Sequence, residues 1–225
     1  MTTRPVIGVL ALQGAVEPHK AHIEAAGGEF RAVKTAEQFE TVDAFILPGG
    51  ESTTMLKLIE AFELWDALKK QFATKPVWGV CAGAILIAEK VIISPSSRAK
   101  PRDLHNRTGE DPSTASFQPF AQDDKGEQKS FGLIPMTVER NAYGRQLESH
   151  YATIAGYDVS LIRAPVISKV ANDVTVKAEH EGKLVWVEKG RYMATTFHPE
   201  LTLDFPSPMH REFVNLVREN NKKAA

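Results

Sequence analysis

The sequence has a single cysteine among 225 residues, so an internal disulfide is impossible. This scarcity is typical of proteins that fold in a reducing compartment. The chain also lacks an excess of charge of one sign, since 27 basic and 28 acidic residues give a formal net charge of −1. A near-neutral chain argues against a nucleic-acid or anionic-membrane partner. No apolar run approaches the length of a membrane-spanning helix. We therefore expect a soluble, cytoplasmic protein.

Alternating strand and helix patterns in the first half predict the fold class, because such alternation builds βαβ units around a parallel sheet. The predicted strands of this half lie at residues 6–12, 30–33, 44–47 and 76–78, and the predicted helices at 17–26, 53–70 and 84–89. The second half adds strands at 136–139, 159–163, 166–170, 174–178, 184–188 and 192–197, and a final helix from about Ser207. We predict an α/β fold of the flavodoxin-like type, with an open, mixed, mostly parallel sheet and helices on both faces.

One polar segment interrupts this pattern. From about residue 94 to 130, Pro, Ser, Asp and Lys are scattered without a clear period. Long loops without secondary structure are uncommon in compact domains and tend to be functional or disordered. We expect a single domain over residues 1–225. The polar segment is then either a surface insertion or a lid or partner contact at the rim of an active site.

The only cysteine lies in residues 79–83, Gly-Val-Cys-Ala-Gly, between an apolar strand and the start of a helix. A nucleophile on such a sharp turn is exposed, and small neighbours make the turn possible. A helix N-terminus also favours the thiolate, which is the reactive form. Cys81 is therefore a candidate nucleophile. The turn alone leaves the alternative open, which is a buried structural cysteine.

A candidate base lies near the other end of the chain, in the segment His198-Pro199-Glu200. If the backbone stays extended through the proline, His198 and Glu200 point to the same side. Glu200 can then hold one ring nitrogen of His198 and orient the other toward Cys81, as in a Cys–His–acid triad. The other six histidines lack so clear an acidic neighbour, and we interpret them as surface or packing residues.

A third candidate element is the loop at residues 48–53, Pro-Gly-Gly-Glu-Ser-Thr, which follows an apolar strand and precedes a helix. Paired glycines let backbone N–H groups approach a ligand closely. The N–H groups of Gly50 and Ala82 are therefore candidates for an oxyanion hole. We expect Ser52 to cap the helix. An ordinary strand-to-helix turn is the alternative interpretation of this loop.

Taken together, the cysteine turn, the Pro-Gly-Gly-Glu-Ser-Thr loop and residues 198–201 (His-Pro-Glu-Leu) resemble the class I, triad-type glutamine amidotransferases. Three further segments narrow the resemblance to the glutaminase subunits of pyridoxal 5′-phosphate synthase. They are residues 8–16 (Gly-Val-Leu-Ala-Leu-Gln-Gly-Ala-Val), 139–146 (Glu-Arg-Asn-Ala-Tyr-Gly-Arg-Gln) and 161–165 (Leu-Ile-Arg-Ala-Pro). The resemblance covers about residues 6–217, apart from the polar insertion.

The resemblance implies hydrolysis of L-glutamine, with Cys81 as nucleophile, His198 as base and Glu200 as the orienting acid. It also implies glutamine-binding roles for Gly49, Gly50, Glu51, Arg140, Ile162 and Arg163. A structural ion pair is the alternative role for the two arginines. The ammonia would pass to a (β/α)8-barrel synthase subunit within a large hetero-oligomer. The resemblance implies neither a cofactor nor a metal.

Three other functions stay open. The first is a glutaminase subunit of another synthase, such as imidazole glycerol phosphate synthase, and the block at residues 139–146 argues against it. The second is a cysteine hydrolase or chaperone-like protein of the related superfamily, whose histidine usually stands where this chain has Ala82. The third is a non-catalytic regulatory subunit, against which the presence of all three triad residues argues.

Overall fold

The structure is a computed structural model, and it describes residues 4–93, 128–140 and 150–224. The polar insertion at about 94–130 lies outside the described residues, except for its last three positions. Most of the block at residues 139–146 also lies outside them. The interpretation of the insertion as a surface loop or a lid therefore stays a sequence-based prediction.

A mixed sheet of ten strands forms the centre of the described fold, and a separate antiparallel pair lies beside it. The ten strands are β1 (Val6–Leu10), β2 (Glu29–Val33), β3 (Ala44–Leu47), β4 (Val77–Val80), β5 (Ala88–Ile93), β6 (Ile134–Arg140), β9 (Val166–Val170), β10 (Thr175–His180), β11 (Lys183–Lys189) and β12 (Tyr192–Thr195). The separate pair consists of β7 (His150–Ile154) and β8 (Tyr157–Leu161).

The parallel part of the large sheet has the order β2-β1-β3-β4-β12. Beyond it, β11, β9 and β6 pair antiparallel, and β5 pairs parallel with β6 at the far edge. Strands β3 and β4 are buried at every position, as expected for central parallel strands covered on both faces. The predicted α/β fold with a mixed, mostly parallel sheet is confirmed. Because β3, β4 and β12 are parallel neighbours, their carboxyl ends meet at one edge.

Six helices cover the two faces of the sheet in the described part of the chain. They are α1 (His19–Ala25), α2 (Ala36–Glu40), α3 (Ser52–Ala61), α4 (Trp65–Phe72), α5 (Ala82–Ile87) and α6 (Pro208–Ala224). Helices α2 to α5 contribute to one hydrophobic cluster, around Phe45 and Phe72. Helices α1 and α6 contribute to the other, around Trp78 and Phe213. The two clusters together form the core.

Two helix boundaries differ from the sequence-based prediction. The helix predicted at residues 53–70 is two helices, because α3 ends at Ala61 and Glu63 adopts a left-handed φ of 54°. The helix after the cysteine ends at Ile87 and does not reach Glu89. Ala88 takes an extended ψ of 150° there and begins β5, a strand that the sequence did not predict. The short elements α2 and β7 were not predicted either.

Two local features agree with sequence patterns, and the second is the final helix expected from about Ser207. Glu181 and Gly182, at φ values of 50° and 71°, form the tight turn between β10 and β11. Helix α6 begins at Pro208, and the Oγ of Ser207 accepts a hydrogen bond from the His210 N–H at 3.2 Å. None of the helices within the described ranges is long and apolar enough to cross a membrane.

Candidate active site

Cys81 lies at the turn between β4 and α5, and close backbone packing requires glycines two positions before it and two positions after it. A Cβ on Gly83 would lie 2.0 Å from the carbonyl oxygen of Leu47, at the end of β3. A Cβ on Gly79 would lie 2.5 Å from the carbonyl oxygen of Gly83. The turn holds Cys81 at φ 49° and ψ −102°, a strained conformation for a residue with a side chain. The predicted sharp strand-to-helix turn is therefore present, but its cysteine is 5% exposed and not the freely exposed side chain that was expected.

His198 follows β12, and its N–H donates to the carbonyl oxygen of Ser160 in β8 at 2.8 Å. The predicted extended backbone through Pro199 is wrong, because Pro199–Leu201 forms a 3-10 turn. Proline, whose φ is fixed near −65°, suits the first position of such a turn. The predicted contact nevertheless forms, since His198 Nδ1 lies 2.8 Å from Glu200 Oε1. With Nδ1–H donating to the carboxylate, Nε2 of His198 is left to act as a base.

The electrostatics of this pair follow from burial and mutual contact. Burial acts to lower the pKa of His198, but hydrogen bonds to Cys81 and Glu200 and the charges on both more than offset it, raising the pKa to about 10. Burial acts to raise the pKa of Glu200. The hydrogen bond from His198 and the charges of His19 and His198 instead hold this pKa below its ordinary value. Glu200 is therefore an ionised carboxylate in the interior, poised to stabilise an imidazolium.

The loop at residues 48–53 packs its glycines against His198 and against a glutamine that the sequence analysis did not single out. A Cβ on Gly49 would lie 2.2 Å from Cε1 of His198, and one on Gly50 would lie 2.5 Å from Oε1 of Gln13. Gln13 Oε1 also accepts a hydrogen bond from the Glu51 N–H at 2.9 Å. The signal that could have identified Gln13 is a polar side chain directly after an apolar strand.

The predicted cap of α3 is wrong by one residue. Glu51 is the N-cap, with an extended backbone, and its Oε2 accepts from the Thr54 N–H at 2.7 Å. Ser52 is the first helical residue, and its Oγ donates to Oε1 of Gln128 at 3.3 Å. Glu51 lies one position before Ser52, outside the helix. From there its carboxylate reaches the N–H of Thr54, the third helical residue.

Arg140, at the end of β6, contacts two residues of the loop at residues 48–53. Its Nη2 lies 3.1 Å from Glu51 Oε1, and its Nη1 donates to Thr53 Oγ1 at 3.0 Å and to Gln128 Oε1. The ion pair considered as an alternative role for Arg140 is thus present. Arg163 forms no such pair within the described residues, and it adopts a left-handed φ of 45° directly after Ile162. The carbonyl oxygen of Ile162 accepts a hydrogen bond from the Cys81 thiol at 3.9 Å.

These elements enclose a cleft of about 370 Å³, a size within the range of small-molecule sites. Glu200, 2% exposed, lies behind His198 and does not line the cleft. The other residues that the sequence analysis assigned to the site all line it: Gly49, Gly50, Glu51, Cys81, Ala82, Arg140, Ile162, Arg163 and His198. No group of His, Cys, Asp and Glu side chains arranged to hold a metal occurs in the part of the chain described.

Comparisons with known proteins agree with this geometry. The sequence matches the SNO glutamine amidotransferase family over residues 9–102 and 117–219. A protein of Salinispora tropica named pyridoxal 5′-phosphate synthase subunit PdxT is 39% identical, covering 96% of this chain and 98% of the relative. One of the same name from a Geobacillus species is 40% identical, covering 95% and 97%. A crystal structure of a glutamine amidotransferase superposes with a TM-score of 0.72 at 32% identity, covering 94% of this chain and 98% of its own.

The close packing at the cysteine turn predicts the effect of Gly83→Ala. The added methyl group meets the Leu47 carbonyl oxygen, so the turn must shift by about 1 Å or more, a displacement that can cost on the order of 100-fold in reactivity. We expect Cys81 to react correspondingly more slowly with iodoacetamide, measured by mass spectrometry of the single thiol. Gly182→Ala is the matched control, because it adds strain at φ 71° with no atom within 4 Å. Equal alkylation rates in the two variants would contradict the account.

The lowered pKa of Glu200 predicts a pH-dependent stability. Because its folded pKa lies below the unfolded value of 4.5, the carboxylate stabilises the fold above about pH 4.5, and this contribution is lost as the pH falls through the folded pKa. We expect the stability advantage of the wild type over Glu200→Gln to shrink as the pH falls below 4.5, measured by urea unfolding. Glu24→Gln, at an exposed helix position, is the control. An advantage that grows on acidification would contradict this prediction.

Proposed function

The chain belongs to the SNO glutamine amidotransferase family, and on that premise we propose that it hydrolyses L-glutamine to glutamate and ammonia. We further propose that the ammonia is supplied to a pyridoxal 5′-phosphate synthase subunit, which relatives 39–40% identical over nearly the whole chain support by name. The observation that carries the proposal is the cleft lined by Cys81 and His198, with Glu200 hydrogen-bonded behind His198.

The reaction proceeds in two halves through Cys81. His198, whose pKa is raised to about 10, holds on Nε2 the proton taken from the Cys81 thiol, and Sγ attacks the side-chain amide carbon of glutamine to give a tetrahedral intermediate. His198 returns the proton to the amide nitrogen, the carbon–nitrogen bond breaks, and ammonia leaves a glutamyl thioester. Water then attacks the thioester with His198 as base. Glutamate leaves, and the proton returns to the thiolate. Glu200 orients His198 and stabilises its imidazolium throughout.

The oxyanion of each tetrahedral intermediate is held by the backbone N–H groups of Gly50 and Ala82. Ala82 directly follows the nucleophile at the N-terminus of α5, and Gly50 belongs to the loop packed against His198. Donors fixed in this way need no reorganisation during the reaction, and loss of one typically costs on the order of 100- to 1000-fold in rate.

The charged end of glutamine, with its α-ammonium and α-carboxylate groups, binds to three charged side chains that line the cleft. Its α-ammonium meets the carboxylate of Glu51, and its α-carboxylate meets the guanidinium groups of Arg140 and Arg163. The Glu51 side chain is 45% exposed, so its ion pair with Arg140 can take a zwitterionic amino acid as a third member. Gly49 and Ile162 also line the cleft that receives the substrate.

The synthase partner is a (β/α)8-barrel subunit, and the working enzyme is a large hetero-oligomer in the cytoplasm. Direct transfer of ammonia to the synthase subunit prevents hydrolysis of glutamine whose ammonia would not be used. Residues 1–225 form a single glutamine amidotransferase domain, which the two hydrophobic clusters on the two faces of one sheet support. The reaction as written needs only water and the side-chain and backbone groups of this chain.

The proposal predicts glutamate release from L-glutamine by the pure protein, rising strongly when a pyridoxal 5′-phosphate synthase subunit is added. Cys81→Ala should abolish release while leaving the melting temperature and the binding of the partner unchanged, because Ala retains the Cβ and removes only the reactive sulfur. If the rate of glutamate release by the wild type is the same with and without this partner, the partner assignment is overturned. No release in either condition would overturn the glutaminase assignment.

A further inference from the structure

The chain just before β6 is anchored on α4 and on the end of α5. The ring of Phe131 stacks on the indole of Trp65 with centroids 4.2 Å apart, and the Phe131 N–H donates to the carbonyl oxygen of Leu86 at 2.7 Å. The Nζ of Lys129 lies 3.9 Å from the centre of the same indole ring. Stacking and cation–π contacts of this kind restrict the backbone that carries them. Gln128, the first described residue of this stretch, therefore extends from a fixed support.

Gln128 contacts the site through its amide oxygen. Oε1 accepts hydrogen bonds from Nη1 of Arg140 and from Oγ of Ser52, the latter at 3.3 Å. A guanidinium group only donates, so the amide must turn its oxygen toward Arg140, and that oxygen has the two lone pairs that both bonds need. The Nε2 atom is buried and has no hydrogen-bond partner among the described residues. Within those residues, the polar side-chain contacts of Gln128 are therefore those of its oxygen.

The contacts of Arg140 show which of its N–H groups remain for a ligand. Both N–H groups of Nη1 are used, by Thr53 Oγ1 at 3.0 Å and by Gln128 Oε1. One N–H group of Nη2 is used by Glu51 Oε1 at 3.1 Å. Of the five donors of a guanidinium, the described residues therefore leave one on Nη2 and one on Nε. Arg140 lines the cleft, so a carboxylate bound there can meet these two donors.

Gln128 holds the guanidinium without adding a charge. Thr53 and Gln128 are neutral acceptors, and among the described residues Glu51 is the anion that contacts Arg140. A neutral acceptor does not compete with a bound carboxylate for the cation. A planar group whose Nη1 is held by two acceptors also resists rotation. The orientation of the remaining donors is therefore set before a ligand enters the cleft.

We infer that Gln128 is a positioning residue for the cleft, which holds Nη1 of Arg140 and so directs the remaining N–H groups of Nη2 and Nε at the α-carboxylate of the substrate. The preorganised guanidinium then binds glutamine without first losing rotational freedom. This inference rests on the proposed function, because L-glutamine supplies the carboxylate. It adds to the glutamine-binding set a residue that does not itself line the cleft.

Substitution of Gln128 by Met tests the inference, because Met has a similar length and no oxygen to accept from Arg140. We expect Gln128→Met to raise KM for L-glutamine about tenfold, the value of one hydrogen bond to a charged group, and to keep kcat within about twofold. The end of glutamine that Arg140 binds does not react, so its binding contributes equally to the ground state and the transition state. Glutamate release is measured with the synthase subunit present. An unchanged KM would overturn the inference.

Lys129→Met is the matched control, because it places the same side chain at the next position and removes the contacts with Trp65 and Glu60. We expect its KM to stay within about twofold of the wild-type value, since an exposed ion pair contributes little. An equal rise of KM in the two variants would show that Gln128 only anchors the segment, and would overturn the inference.

A double-mutant cycle with Arg140 separates positioning from a general loss of order. Arg140→Lys keeps the positive charge and removes the forked nitrogen that Gln128 holds. In the Arg140→Lys background, Gln128→Met should therefore raise KM no further. An equal rise of KM in the two backgrounds would overturn the inference.

Protection of Cys81 from iodoacetamide by L-glutamine gives a second readout that needs neither turnover nor a synthase. We expect half-protection of Gln128→Met to need about ten times the glutamine concentration that the wild type needs. This pattern in a wild type that releases no glutamate would overturn the proposed hydrolysis and uphold the inference. Equal protection of the two proteins would overturn the inference alone. A wild type that glutamine does not protect would overturn both.

Discussion

The contact on which the site depends is the close approach of two backbones at the carboxyl ends of β3 and β4. Only a glycine at position 83 leaves room for the Leu47 carbonyl oxygen, and that packing bends the chain sharply enough to hold Cys81 at a positive φ. The same edge of the sheet receives the end of β12 and therefore His198. Three parallel strands bring the glycine loop, Cys81 and His198 together without a long flexible segment.

Against the effect of burial, Cys81 and the buried carboxylate of Glu200 raise the pKa of His198, and this shift determines the acid–base chemistry that the site can perform. Glu200 is held inside the protein by His198, and in return it keeps the imidazole ready to carry a positive charge. An ionised group so deep needs a charged partner, because an unpaired buried charge is strongly destabilising. His198 is that partner, with Nδ1 2.8 Å from Oε1. Glu200 thus links the buried interior to His198, which lines the cleft.

Local sequence patterns were sufficient for the parts of the site that depend on near neighbours. The glycines around Cys81, the His198-Pro199-Glu200 segment and the paired glycines each indicated their positions in the cleft, since spacing alone places them at strand ends. The pairing of Glu51 with Arg140 joins residues 89 positions apart, and it depends on tertiary contacts that spacing does not reveal. Strand β5 was missed because it directly continues an apolar helix, and its two exposed charged residues, Glu89 and Lys90, read as a helix end.

The central claim is that Cys81, activated by His198, attacks the side-chain carbon of glutamine. A chloroketone analogue of glutamine tests it most directly, because a nucleophile in the glutamine site displaces chloride and forms a stable bond. Peptide mapping by mass spectrometry should find one label per chain, on Cys81, that L-glutamine suppresses and that His198→Ala forms far more slowly. A label elsewhere, or one on Cys81 that glutamine does not suppress, would contradict the account.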